Sequence, residues 1–136
     1  MKFFQLVALA LCLAATSLGQ IRSQSLQNKI IGCYSAGDRG LTLMRITKTF
    51  VQTSHGKQKI PYKVISSNAE TNVVLLELLE KDRSNFLQRF EAVSQESPFD
   101  LVERDYKSLA DYKTGENGGR LGFARDRCST IVKLLR

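Results

Sequence analysis

His55 is the only histidine in the chain. It sits in TSHGKQ beside Gly56, a composition that makes a solvated loop. A lone imidazole can act as a general base with a glutamate partner, so a secreted ribonuclease using His55 and a glutamate is one possible reading. Nothing else in the chain strengthens an enzymatic case. There is no Gly-x-Ser-x-Gly elbow, no HExxH and no phosphate loop of Walker type. The carboxylate pairs Glu77/Glu80 and Glu103/Asp105 have spacings ordinary for a protein surface. Two mature cysteines and one histidine do not make a ligand cluster of zinc spacing. No catalytic residue, metal site or cofactor is therefore expected. Tryptophan is absent, which weakens a carbohydrate-binding reading. Tyr34, Tyr62, Tyr106 and Tyr112 are expected in or near the core.

The cysteines speak about compartment. The chain opens MKFFQLVALALCLAATSLGQ. One charge at Lys2, an apolar run and a small-residue exit at Ser17 and Gly19 form the pattern of a secretory signal peptide. The apolar run is short for a membrane span, which needs ~20 residues. Residues 1–19 are thus expected to be a removed signal, and no membrane association is expected afterwards. Cys12 leaves with it, and Cys33 and Cys128 remain. Two thiols in an exported chain predict one disulfide, because the secretory route is oxidising. Such a bridge clasps the start and end of one domain. Loop-closure entropy puts its worth at roughly 4 to 5 kcal/mol, as an upper expectation.

The elements that would position these residues are expected within a single domain, residues 29–136, after a loose polar lead-in at 20–28. KIIGCY (29–34) reads as a strand and SAGDRG (35–40) as a turn. Residues 41–53 lean to strand on their β-branched content, although Leu43, Ile46 and Phe50 also share a helical face. IPYKVIS (60–66) reads as a strand with Pro61 near its start. NVVLLELLE (72–80) and NFLQRFEAV (85–93) fit either state. The strongest helical signal lies at 97–115. There Ser97 is a natural N-cap, Pro98 takes the first position, and Phe99, Val102, Tyr106, Leu109 and Tyr112 form a stripe. Residues 120–135 read as one or two strands. The sum predicts an α+β fold, a small antiparallel sheet with one or two packed helices. The alternative is an all-β lipocalin-like barrel, in which first and last strands are neighbours and a terminal clasp also fits.

Charge gives the functional expectations. The chain carries a formal net charge of +7. Between Arg39 and Ala69 there are six basic residues and no acid, the middle of the chain is acidic, and the last stretch is basic again. Basic blocks brought onto one face would attract phosphate backbones or anionic protein surfaces. Lys57, Lys59, Arg120 and Arg125 are the candidate phosphate contacts. The dispersal of the charges equally suits an exported domain that they merely keep soluble.

ADYKTGENGGRLGFARDRCSTIV and KIPYKVI, with the early and late cysteines, resemble the ribonuclease-like secreted effectors of powdery mildew fungi. That resemblance implies a ribonuclease-like α+β fold, with residues 42–53 as its helix. It departs where Ile31 replaces an aromatic before the first cysteine. The single histidine cannot complete the family's glutamate, two-histidine and arginine set. What the resemblance implies is a non-enzymatic virulence effector, exported and carried into a host cell, that binds RNA or a host protein. The competing expectation, tied to the barrel alternative, is a secreted carrier of a small apolar ligand.

Overall fold

A computed structural model describes residues 26–37, 42–81, 83–92, 98–116 and 119–136. Eight strands run in sequence order round a closed antiparallel barrel. They are β1 (Gly32–Ala36), β2 (Thr42–Ile46), β3 (Phe50–Thr53), β4 (Lys59–Asn68), β5 (Val73–Glu80), β6 (Arg83–Ala92), β7 (Leu101–Tyr106) and β8 (Gly119–Arg125). β8 returns to pair with β1 through Tyr34↔Arg125 and Ser35↔Ala124. Three short helical segments accompany them: α1 (residues 26–30), α2 (Leu109–Thr114) and α3 (Cys128–Leu134). The α+β, ribonuclease-like expectation is overturned by this closed barrel, which fits the all-β alternative. Residues 42–53, a helix under the fungal resemblance, form two strands, β2 and β3, joined by a tight turn.

The barrel follows from alternation along the strands. Side chains on a strand point to opposite faces in turn, and Tyr34, Met44, Ile46, Val51, Val74, Leu76, Phe90, Leu101 and Phe123 share one buried cluster inside the barrel. Tyr34, Met44, Phe90 and Phe123 are fully buried there. β4 bends at a register shift between Val64 and Ser66, the kind of bulge that helps a sheet curve. Full closure also removes the unpaired strand edges of an open sheet.

One end of the barrel is plugged. α1 sends Leu26 and Ile30 into the interior cluster. The Tyr34 hydroxyl donates to the Ile30 carbonyl at 2.8 Å. The Arg125 guanidinium lies 5.3 Å from the Tyr34 ring centroid and donates to the Lys29 carbonyl at 2.9 Å and the Tyr34 hydroxyl at 3.1 Å. Asp100 accepts from the Arg125 backbone N–H at 2.7 Å, tying the entry of β7 to this end. Residues 26–28 of the expected loose lead-in therefore belong to a plugging helix with Leu26 buried. Residues 1–19 and 20–25, where the signal and the rest of the lead-in were expected, lie outside the described residues.

Two outer faces of the barrel are covered by helices. α3 lays Ile131 and Leu135 against Cys33 and Leu43, and Cys33 and Cys128 are joined across 95 residues of sequence. The expected disulfide is present, and it fastens the first residue of α3 to β1. Gln52 donates to the Leu135 carbonyl at 3.3 Å and to the Lys57 carbonyl at 2.8 Å, completing that seam. On the other side, Tyr112 of α2 packs edge-on against Tyr106, 5.2 Å between centroids, over Leu75 and Leu87.

The helix expected at 97–115 needs correction, and of the one or two strands expected at 120–135 the first is present as β8 while Cys128–Leu134 is helical. Residues 101–106 are β7, and only Leu109–Thr114 are helical, started by Ser108, whose Oγ accepts from the Asp111 N–H at 3.1 Å. Ser97, the expected N-cap, lies outside the described residues. Val102 and Tyr106 satisfy a helical step of four, but four is also twice the strand period of two, so the same pair marks the outer face of β7. Phe99 and Leu109, the supposed stripe-mates, are exposed. At the C-terminus, Cys128, Ile131 and Leu135 recur at steps of three and four, a helical pattern obscured by the β-branched Thr130, Ile131 and Val132.

Candidate functional site

The end opposite α1 is open. There the barrel interior forms a cup of about 550 Å³. Its apolar wall comes from Val51 of β3, Ile60 of β4, Leu78 of β5, Phe86 of β6 and Leu121 of β8. The floor is the packed interior cluster, so the cup occupies only the upper part of the barrel. This volume lies in the range of sites that enclose small molecules, roughly 300 to 1,000 Å³.

The polar groups of the cup are concentrated on β6 and β7. Leu101, Glu103 and Asp105 alternate onto the inner face of β7, with Leu101 in the sealed core and the two carboxyls above it at cup level. Across the ladder, Gln88 of β6 pairs with Asp105. Its side-chain amide donates to a carboxyl oxygen of Glu103 and, at 3.3 Å, to Asp105. Gln88 is only 6% exposed, and its Oε1 meets no donor among the described residues. Removal from water pushes the Glu103 carboxyl up to about 8, helped by the charge of Asp105 and by a hydrogen bond to it that the protonated acid makes. At neutral pH the pair therefore holds a proton, as two carboxyls in one site must.

Such a pair can do three things. It can donate one hydrogen bond from the protonated acid, act as a general acid, or give up its proton and hold a cation. Of the remaining ionisable groups on the cup, Glu80 stands on β5, His55 follows β3 and Arg120 is on β8. His55 Nε2 lies 3.3 Å from the Thr42 hydroxyl. Among the described residues, no group of three or more His, Cys, Asp or Glu comes together to hold a metal ion. No helix among them is long and apolar enough to cross a membrane.

The four cations expected at a phosphate surface do not assemble. Lys57 is exposed in the turn after β3, and Lys59 is exposed at the start of β4 with its Nζ 5.4 Å from the Phe50 ring. Arg120 borders the cup. Arg125 sits at the plugged end, engaged by Tyr34 and two backbone carbonyls. The expected merging of basic blocks thus places Lys57, Lys59 and Arg120 toward one end and Arg125 at the other.

Nothing in the sequence marks Gln88, and Glu103 and Asp105 have the spacing of an ordinary surface pair; on the helix expected at 97–115, residues two apart diverge. Read as a strand, LVERDY puts Leu101, Glu103 and Asp105 on one face, and Leu101 fixes that face as the inner one. Compared with known proteins, the chain matches no family model, and no curated protein or solved structure matches it.

Proposed function

We propose that this protein is a secreted, non-enzymatic carrier that holds one small, largely apolar molecule in the open end of its barrel. The observation that carries the reading is the cup itself: about 550 Å³ of space above a packed floor, walled by Val51, Ile60, Leu78, Phe86 and Leu121. A barrel that only needed to be stable would fill this volume with side chains, as it does below. Export is supported by the leader-like first nineteen residues and by the disulfide, which persists in oxidising compartments. Native mass spectrometry of the exported protein purified from its own medium tests the reading. One small molecule retained per chain, and released on denaturation, is expected. A chain that stays empty, and that also takes up no apolar probe, contradicts it.

A second reading keeps the basic surface as a contact for RNA or a host protein. Lys57, Lys59 and Arg120 favour it, as three cations lying toward the cup end of the barrel. Phosphate contacts release counterions, so RNA affinity on this reading falls steeply with salt. Affinity that is flat in salt, or absent, removes RNA and leaves only the protein partner.

A further inference from the structure

On the outside of the wall that carries Gln88 and Glu103, three arginines stand in line. Arg89 of β6 is paired in register with Arg104 of β7, and Arg104 with Arg120 of β8. Their chain neighbours Gln88, Glu103 and Leu121 line the cup, so strand alternation turns the three arginines to the outer face. Arg89 and Arg104 are partly exposed and Arg120 is exposed. Residues opposed across a strand pair have their Cβ atoms about 5 Å apart, and like charges so placed repel.

Elsewhere the barrel arranges its charges otherwise. Lys63 stands opposite Glu77, with its Nζ 3.9 Å from the carboxylate. Arg45 and Lys59 are kept apart by Gln52 on the strand between them. In the arginine row, Arg89 is ion-paired with Glu91 of its own strand. Among the described residues, Arg104 and Arg120 make no ion pair, and no acceptor takes the Nε proton of Arg89 or Arg104. With Glu91 offsetting Arg89, the row presents two uncompensated positive charges side by side.

We propose that this row binds the dianion of a phosphate monoester, its terminal oxygens shared between the guanidiniums of Arg104 and Arg120, with Arg89 flanking them. A guanidinium is a planar fork of donors that matches phosphate bidentately and stays charged. A phosphate monoester brings nearly two negative charges and three acceptor oxygens, so one group can accept from two neighbouring forks and neutralise both. A carboxylate or a phosphodiester brings a single charge. The enclosed Nε atoms take no part, and the contact is with the outward ends of the side chains. The phosphoryl group can be free phosphate or an ester on a larger molecule. The site lies outside the cup and does not depend on the carrier reading. It shares only Arg120 with the cations that favour an RNA contact.

Titration of the full mature chain, followed by two-dimensional ¹⁵N–¹H spectra at constant ionic strength, tests this with small anions that have no apolar body to enter the cup. Methyl phosphate is the monoester, dimethyl phosphate the diester and acetate the carboxylate. Near pH 7.5, above the second ionisation of the monoester at about 6, methyl phosphate is expected to shift the amides of Arg104 and Arg120 saturably. It should bind at least about tenfold more tightly than dimethyl phosphate or acetate, with Val51 and Leu78 of the cup unmoved. Inorganic phosphate, run alongside, upholds the site in either case: equal affinity marks free phosphate as the ligand, and weaker affinity marks an ester. Arg104→Lys keeps the charge and loses the fork, and should weaken methyl phosphate at least about fivefold. Arg120→Gln, at the exposed end of the row, should weaken it at least about tenfold, with the thermal unfolding midpoint unchanged or raised because a like charge is gone. Lys48→Gln removes an equal charge from the turn between β2 and β3 and should change affinity less than about twofold. Equal affinity for monoester, diester and acetate would overturn the site. So would an Arg120→Gln protein that binds as tightly as the unaltered one, or shifts as large at Lys48, Lys57 and Lys59 as at the row. The comparison of anions needs only the unaltered protein, so misfolding of a variant would not rescue the proposal.

Discussion

At the scale of single residues, the buried acid on β7 gives this barrel a pH-dependent stability. Glu103 is inward-facing, has Asp105 beside it, and is held by Gln88. The folded protein binds the Glu103 proton more tightly than the unfolded chain does, because burial and the neighbouring carboxylate both disfavour its charge. Stability from this proton is therefore complete below the ordinary carboxyl value of 4.5 and drains away as pH climbs toward about 8. The unfolding free energy is expected to fall across that window by an amount on the order of a few kcal/mol. In Glu103→Gln the slope should flatten, with the gain over the unaltered protein largest above about pH 8. Urea unfolding at a series of pH values measures both, and an unchanged slope in the variant would show that Glu103 titrates normally. None of this chemistry was legible without the strand assignment. The two acids were visible at 103 and 105, but helical and extended readings of 101–106 send them to different places.

At the scale of elements, the least legible feature was the division of labour between helices and sheet. β4 could be anticipated from its composition, and residues 41–53 lean to strand without showing that they make two, β2 and β3; residues 72–80 fit either state and form β5. β7 could not be anticipated, because Val102 and Tyr106 meet the helical and the strand period at once. α3 was hidden for the opposite reason: Thr130, Ile131 and Val132 favour strands locally, while tertiary packing of Ile131 and Leu135 over Cys33 and Leu43 overrides that preference. The disulfide sits at this seam and pins α3 at its first turn. Its removal in Cys33→Ser/Cys128→Ser should lower the unfolding free energy by roughly 4 kcal/mol through the greater freedom of the unfolded chain. Because α3 packs on the outer face of the barrel wall and the cup lies on the inner one, probe affinity for the surviving folded fraction should change little. Denaturant unfolding alongside a probe titration separates the two effects. Loss of the cup at full stability would mean that α3 supports the site directly.

At the scale of the whole molecule, eight short strands leave the interior in two unequal parts. Toward α1 the space is filled by Tyr34, Phe90 and Phe123 and sealed by Arg125. Toward the other end it opens into the cup. The clasp between Cys33 and Cys128 was readable from the cysteine positions; the pairing of β1 with β8 belongs only to the barrel alternative. The choice between barrel and α+β sheet was not, since a single bridge between chain ends satisfies either. Of the four candidate phosphate contacts, Lys57, Lys59 and Arg120 lie toward the cup end, and Arg125 is committed to closing the plugged end. The claim on which everything else depends is that the open end binds a small molecule, and a two-dimensional ¹⁵N–¹H spectrum recorded during titration with the apolar probe 3-ethylindole addresses it directly. Saturable shifts confined to the cup, at Gln88, Glu103 and Leu121, with Tyr34 and Ile131 unmoved, are expected. Shifts that cluster on α3 or at the plugged end, or no saturable shift, would contradict it.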